Sequence, residues 1–376
     1  MSNPIEKTDR IHSLDSLRAV MMLLGVVLHS SETYNVGSSS LWPLDPNDTH
    51  IFQNFISAII HVFRMPVFFL VAGFFGAMLF YERSPQAMIK NRISRIVLPF
   101  AVFLILLHPL IFSALAFTSE SFGIALSGIP TILTMLPEVT YHLWFLYYLI
   151  LLSLFTFLLA LVLRRIPFLT RRIQNSFEWL FSRRWLAIVV FTVITFLLMV
   201  YRWDYSVPTP LSFEPELGAF LFFLSFYLVG WLLFSSKHML DSFMKYDWFL
   251  TISAFILYAI TFVGRSYIDD VPTGILYAVV TWLFIFGITG LFIRYMSKYS
   301  ARMRYASDAS YWVYLIHLPL TILIPGLIVD VPLPAFGKFS LVLISTSVIC
   351  FATYHYLVRA TFIGKFLNGR KYPLRK

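Results

Sequence analysis

Arg18 and His29 lie eleven positions apart in one apolar segment, LDSLRAVMMLLGVVLHS. On a helix that interval is close to three turns, so both side chains share a face, about 20° apart around the axis and roughly 16 Å apart along it. Ionisable groups inside a membrane helix are costly to bury, and they usually face the bundle interior and act there. A second pair, His61 and Arg64, stands at i,i+3 spacing on one helix face just before Pro66. Two more histidines fall in apolar runs: His142 beside Trp144, and His317 in Tyr314-Leu315-Ile316-His317-Leu318-Pro319. A neutral imidazole takes a proton from a hydroxyl near pH 7 and returns it to a leaving group. A fixed guanidinium nearby stabilises the oxyanion formed when a carbonyl is attacked. That combination suits acyl transfer to an alcohol.

The expected catalytic set is therefore His29 and Arg64, with Glu32 placed one turn after His29 to orient its ring. His61, His142 and His317 are expected to meet substrate. Plainer roles stay open at this level. Arg18 is near enough to the interface to snorkel or to pair with Asp15 at i,i+3. His142 has the position of an interfacial anchor, and His317 of a group satisfying carbonyls freed near Pro319. A metal site is not expected, because the histidines are scattered, lack HxxxH spacing and have no cysteine partner. The sequence has no GxSxG turn and no Walker or dinucleotide glycine pattern.

The elements that must position these residues follow from composition. The chain has 376 residues, 59% hydrophobic and 13% charged, with 39 Phe and 20 Tyr. A soluble domain of that size needs more polar surface, so the expected class is an all-α polytopic membrane protein. Ten apolar segments are long enough to cross a hydrocarbon core of about 30 Å: 14–32, 54–80, 96–117, 142–163, 185–201, 218–235, 247–264, 274–293, 308–329 and 338–358. Pro66, Pro319 and Pro325 interrupt two of them. Pro66 can break its helix and free backbone groups, which membrane helices tolerate chiefly where a cavity or neighbouring helix satisfies them again. No repeat or appended soluble domain is apparent, and residues 1–376 read as one bundle. The first segment resembles a signal peptide in its flanking Lys7 and Arg10, but no small-x-small cleavage site follows, so it reads as a retained span.

Charge sets the orientation. Of the 29 Lys and Arg residues, all except Arg18, Arg64, Arg202, Arg265 and Lys338 fall at the amino terminus, in alternate connections (including an Arg-rich loop at 164–184), or in the tail from Arg359 to Lys376. The positive-inside rule then places both termini in the cytoplasm. This distribution accounts for the net charge of +10 without nucleic acid. The opposite loops carry Pro, Asp, Asn and Ser, as in Trp42-Pro43-Leu44-Asp45-Pro46-Asn47-Asp48, and read as turns and lids. The single cysteine, Cys350, sits in an apolar stretch and leaves the redox compartment undecided.

At these residues the sequence resembles the acyltransferase-3 family of integral membrane O-acyltransferases. The resemblance rests on the Arg18–ten residues–His29 motif, RMPVFFLVAGFF (64–75), NRISRIVLP (91–99), YHLWFLYYL (141–149) and SYWVYLIHLPL (310–320), in family order across nearly the whole chain. One departure is Ala72-Gly73 where the family usually has Ser-Gly. A role for that serine hydroxyl cannot apply here, while the glycine remains available for close helix approach.

The resemblance implies a multi-pass protein of the bacterial inner membrane that transfers an acyl group from cytoplasmic acyl-CoA, succinyl or acetyl, to a hydroxyl of a periplasmic glycan. The wording of the first two motifs is most similar to the branch acting on periplasmic glucans. It implies no permanently bound cofactor, and it makes Arg18, Arg92 and Arg95 candidate partners for the CoA phosphates. The competing expectation is a secondary transporter or glycan-lipid flippase, whose signature would be paired broken helices in related halves.

Overall fold

A computed structural model describes residues 11–37, 42–124 and 137–369. Among the expected cytoplasmic charges, Lys7, Arg10, Arg370, Lys371, Arg375 and Lys376 lie outside the described residues. The first crossing is α1 (His12–Glu32), followed by α2 (Ile51–Met78), which runs into a π turn, Leu79–Arg83. A short α3 (Pro85–Arg92) and a second π turn, Ile93–Val97, lead into α4 (Leu98–Ser121). Next come α5 (Trp144–Leu163), α6 (Pro167–Ser182), α7 (Arg184–Arg202), α8 (Leu217–Ser235) and α9 (Asp247–Gly264). The chain closes with α10 (Asp270–Met296), α11 (Ala301–Leu327), α12 (Ala335–Thr353) and α13 (Phe362–Asn368). The only β pairing among the described residues is a single bridge, Val139–Ser212.

Ten of these helical stretches are long and apolar enough to cross a bilayer, and they coincide with the ten expected segments. They form two layers. In α1, α2, α8, α10 and α11, between 56 and 78% of the most apolar window is buried, against 28 to 39% in the spans built on α4, α5, α7, α9 and α12. The outer layer turns Ile105, Leu106, Leu110, Leu158, Val189, Leu197, Ile256 and Ile344 outward. In water such a belt would be a large aggregation surface; in lipid tails it costs nothing.

The inner layer depends on glycine. A Cβ on Gly73 of α2 would run into the Tyr227 carbonyl of α8, and one on Gly230 of α8 into the Leu70 carbonyl of α2. Small residues that let two backbones meet are how helices associate in lipid, where no hydrophobic force drives them together.

Three expectations are corrected. The Arg-rich stretch 164–184 is largely helix α6, which buries Phe177 and Phe181 and exposes Trp179 and its arginines. That is the pattern of a helix lying in the membrane interface. Pro66 does not break α2, which runs unbroken through it. The Val62 carbonyl, four residues back and denied its usual N–H partner, lies 3.3 Å from Thr281 Oγ1 of α10. Finally, Pro319 and Pro325 both sit within a continuous α11.

Candidate active site

The face of α1 that carries Arg18 and His29 packs inward against α2, α10 and α11. Along it Arg18, Met21, Gly25 and His29 succeed one another at intervals of three and four residues. Arg64 reaches across from α2, and its Nε–H donates to the Met21 carbonyl oxygen at 2.8 Å. Its guanidinium fills the space that Gly25 leaves open: a Cβ there would lie 2.5 Å from Arg64 Nη2. Arg64 is buried, and among the described residues no carboxylate is bound to it. A cation in that state is expensive to hold, so the fold keeps it for use.

Three histidine rings meet beside it. The His29 and His317 centroids are 5.2 Å apart, and so are those of His142 and His317. Arg64 lies within charge–charge range of all three and of His61. Backbone carbonyls fix two of the tautomers, since a carbonyl oxygen only accepts. His317 Nδ1–H donates to Tyr314 O at 2.7 Å, which leaves a lone pair on Nε2. His142 Nε2–H donates to Leu315 O at 3.1 Å, which leaves a lone pair on Nδ1. Tyr314 ties the two together, because its hydroxyl also donates to the His142 carbonyl at 2.8 Å.

The nitrogens His317 Nε2, His142 Nδ1 and His29 Nδ1 are all buried and have no partner among the described residues. Buried polar atoms are seldom left so, and three together mark a place for something else that donates hydrogen bonds. His29 is not fully enclosed, unlike His142 and His317. Among the described residues no three His, Cys, Asp or Glu side chains are arranged to hold a metal ion.

Trp42 covers the far side of His29, stacked at 5.5 Å and 13°. Its Nε1–H donates to Thr33 Oγ1 at 2.7 Å, and the Asp45 N–H donates to the Thr33 carbonyl at 2.9 Å. The segment is clamped from α12 by Lys338, whose Nζ lies 3.0 Å from Asp45 and 2.7 Å from Asp48. Trp42, Tyr314 and Lys338 were not among the expected site residues. The Trp-Pro-Leu-Asp-Pro-Asn-Asp run did carry a signal, since an aromatic in a turn-rich loop suits a lid.

The remaining expected residues separate. Glu32 does not orient His29: its carboxylate accepts from Asn35 Nδ2 at 3.0 Å, and His29 Nδ1 has no partner. The reason is local, because α1 ends at Glu32 and its carboxylate turns to the loop beyond. His61 stands apart from the ring cluster, its Nε2–H donating to Val207 O at 3.2 Å. It shares a cavity with Glu32. His317 does not satisfy the carbonyl that Pro319 frees; His142 does, because that carbonyl is Leu315 O.

Three arginines lie toward the other face. Arg18 pairs with Asp15 at 3.4 Å and stacks over Phe75 at 5.5 Å, with 37% of its side chain exposed. Arg92 enters the bundle, donating to Ala72 O at 3.2 Å and leaving its Nε buried and unpaired. Arg95 is engaged elsewhere: its Nη1 donates to the Lys365 and Phe366 carbonyls of α13, so it clasps the carboxyl-terminal helix.

An acyltransferase domain model, that of the acyltransferase-3 family, matches residues 11–355. Glucans biosynthesis protein C of Escherichia coli K12 is 28% identical over 342 residues, covering 85% of this chain and 84% of its own. Its counterparts in Escherichia coli O157:H7 and in strain UMN026 match to the same extent. No solved structure matches. The five motifs, the ten crossings and the imidazole–guanidinium cluster agree with that family match, and the chain belongs to the acyltransferase-3 family: it is a membrane acyltransferase.

Proposed function

We propose that this protein resides in a bacterial inner membrane and moves an acyl group, succinyl or acetyl, from cytoplasmic acyl-CoA to a hydroxyl of an extracytoplasmic glycan. The observation that carries the reading is the convergence of three unpartnered imidazole nitrogens beside Arg64. CoA docks at the basic face, with Arg18 and Arg92 taking its phosphates, and the acyl thioester extends along the α1 face toward His29. An acceptor hydroxyl gives its proton to His29 as its oxygen bonds to the thioester carbonyl carbon. Arg64 holds the resulting oxyanion. The carbon–sulfur bond then breaks, and the CoA thiolate takes the proton back from His29. His317 Nε2 and His142 Nδ1 accept hydrogen bonds along this path and orient the reacting groups.

The Escherichia coli relatives are named for glucan biosynthesis, which favours a glucan as acceptor. The test is transfer from labelled succinyl-CoA or acetyl-CoA, supplied on one face of proteoliposomes, to a glucan on the other. His29→Ala is expected to lower transfer by about 10²–10⁴-fold; full activity in that variant would remove His29 from the mechanism. Mass spectrometry of periplasmic glycans from cells with and without the protein names donor and acceptor class together.

A further inference from the structure

A cavity of about 320 Å³ is lined by Glu32, Ser57, Ala58, His61, Tyr258 and Tyr277, together with Ser206 at the exposed rim. It is close to the reacting groups through the helices that bound it. Glu32 follows His29 by one turn of α1, and His61 precedes Arg64 by one turn of α2. The lining is also organised internally. Asn35 donates to both Glu32 Oε2, at 3.0 Å, and Ser57 Oγ, at 3.3 Å, holding two polar groups in place. The other Glu32 oxygen has no protein partner among the described residues. His61 spends its Nε2–H on Val207 O, so its Nδ1 is left as an acceptor. Tyr258 and Tyr277 stack at 6.0 Å and 26° on the opposite wall.

We infer that this cavity is the acceptor subsite and that it holds one uncharged pyranose ring. The inference rests on the acyltransferase reading above and extends it to the chemistry of the acceptor. Free carboxylate and imidazole acceptors suit a ligand rich in hydroxyl donors, and Tyr277, partly exposed and backed by the buried Tyr258, offers aromatic surface to the ring's C–H face. The volume is at the small end for ligand pockets, which run from about 300 to 1,000 Å³, so one sugar unit enters and the rest of a polymer stays outside past Ser206. Neutrality follows from charge. The lining carries one carboxylate and no Lys or Arg, and Arg265, within charge range of Tyr277, is held by Asp270 at 2.7 Å. Arg202, at the Ser206 rim, is held by Asp204 at 2.9 Å, and Arg64 turns its guanidinium to the Met21 carbonyl and Gly25 of α1, so a uronic acid or phosphorylated sugar would meet the Glu32 carboxylate with no cation in the lining. Glu32 thus acts on the acceptor, not on the His29 ring.

The test uses the full-length protein in detergent and needs no acyl donor for its first arm. Saturation-transfer NMR with a neutral gluco-oligosaccharide should show binding to the wild type, and a length-matched uronic-acid oligosaccharide at least tenfold weaker binding. Ala58→Trp fills the cavity without removing a polar group, and Ser206→Trp blocks its exposed rim with little risk to folding. Both should abolish sugar binding and raise the acceptor KM at least tenfold. Equal sugar binding by wild type and both variants, no binding by the wild type, or a preference for the uronic acid would overturn the subsite. Sugar binding that follows this pattern in a protein unable to transfer acyl groups would instead overturn the proposed function and leave the subsite standing. Transfer with an unchanged acceptor KM in both tryptophan variants would do the reverse.

Discussion

The Nε2–H of His142 bonds the Leu315 carbonyl oxygen at 3.1 Å, and Leu315 stands four residues before Pro319 on α11. Proline has no N–H for the carbonyl four positions back. The proline in one motif therefore frees an acceptor, and the histidine of another takes it, which fixes the His142 tautomer and keeps its Nδ1 lone pair within the ring cluster. An apparent defect in a helix orients a side chain.

Pro319→Ala tests this relation. The new N–H competes for Leu315 O, and relief of an interior proline favours the helix by up to about 3 kcal/mol. The expected result is an unchanged or raised Tm together with a fall in kcat of about tenfold and little change in KM. A variant with wild-type kcat would show that the His142 tautomer is irrelevant to the rate.

Glycine substitutions should divide by what they strike. Gly25→Ala meets the end of a flexible side chain, Arg64 Nη2, so the guanidinium shifts, its bond to Met21 O is lost and the bundle still assembles. Transfer should drop about 10²-fold, the usual order for losing one oxyanion donor. Gly73→Ala meets the Tyr227 backbone carbonyl, which cannot move without parting α2 from α8. Here the expected loss is of folded protein, read as reduced yield in size-exclusion chromatography, before any kinetic effect.

The crossings were legible because a bilayer core demands a minimum apolar length, and α9 falls on the expected residues 247–264. The α6 helix was read as a loop because its arginines hide an apolar stripe of only a few positions. Within the site, Arg64 and His29 stood out because burying them is costly, and that argument needs no neighbours. Partners across helices were another matter. That His142 and not His317 meets the freed carbonyl depends on how α5 lies against α11, and Glu32 shares a helical face with His29 only until α1 ends. Trp42 stacks on His29 through a loop whose path no periodicity encodes. Lys338 is buried against two carboxylates, Asp45 and Asp48, that stand far from it along the chain, and no spacing in the sequence links them.

Lys338 supplies the next prediction. Its side chain and that of Asp45 are 1% and 0% exposed, so removing the ammonium leaves a carboxylate buried without its partner. Breaking such a pair costs roughly 3–5 kcal/mol. Lys338→Met should lower the apparent Tm and release the loop that seats Trp42 on His29, measurable as faster modification of His29 by diethylpyrocarbonate. Adding Asp45→Asn, which keeps the acceptor for the Asn47 N–H but removes the charge, should recover part of the stability. No loss of stability in the single variant would mean that water already reaches this ion pair.

The last prediction separates fold from chemistry within the ring cluster. In His317→Asn the side-chain amide nitrogen takes the place of Nδ1 and still donates to Tyr314 O, while the Nε2 lone pair disappears. In His142→Gln the amide nitrogen takes the place of Nε2 and still donates to Leu315 O, while the Nδ1 lone pair disappears. Each variant keeps the backbone bond printed into the helix packing and deletes only the unpartnered nitrogen. If those nitrogens serve the reaction, both variants should fold with wild-type Tm and lose about tenfold or more in kcat, and His317→Ala, which also gives up the backbone bond, should lose Tm as well. If the histidines only hold α5 and α11 together, the amide variants should keep full activity and only the alanine variant should suffer. Thermal unfolding beside transfer kinetics, measured on the same three preparations, distinguishes the two outcomes, because a packing role moves Tm first and a catalytic role moves kcat alone.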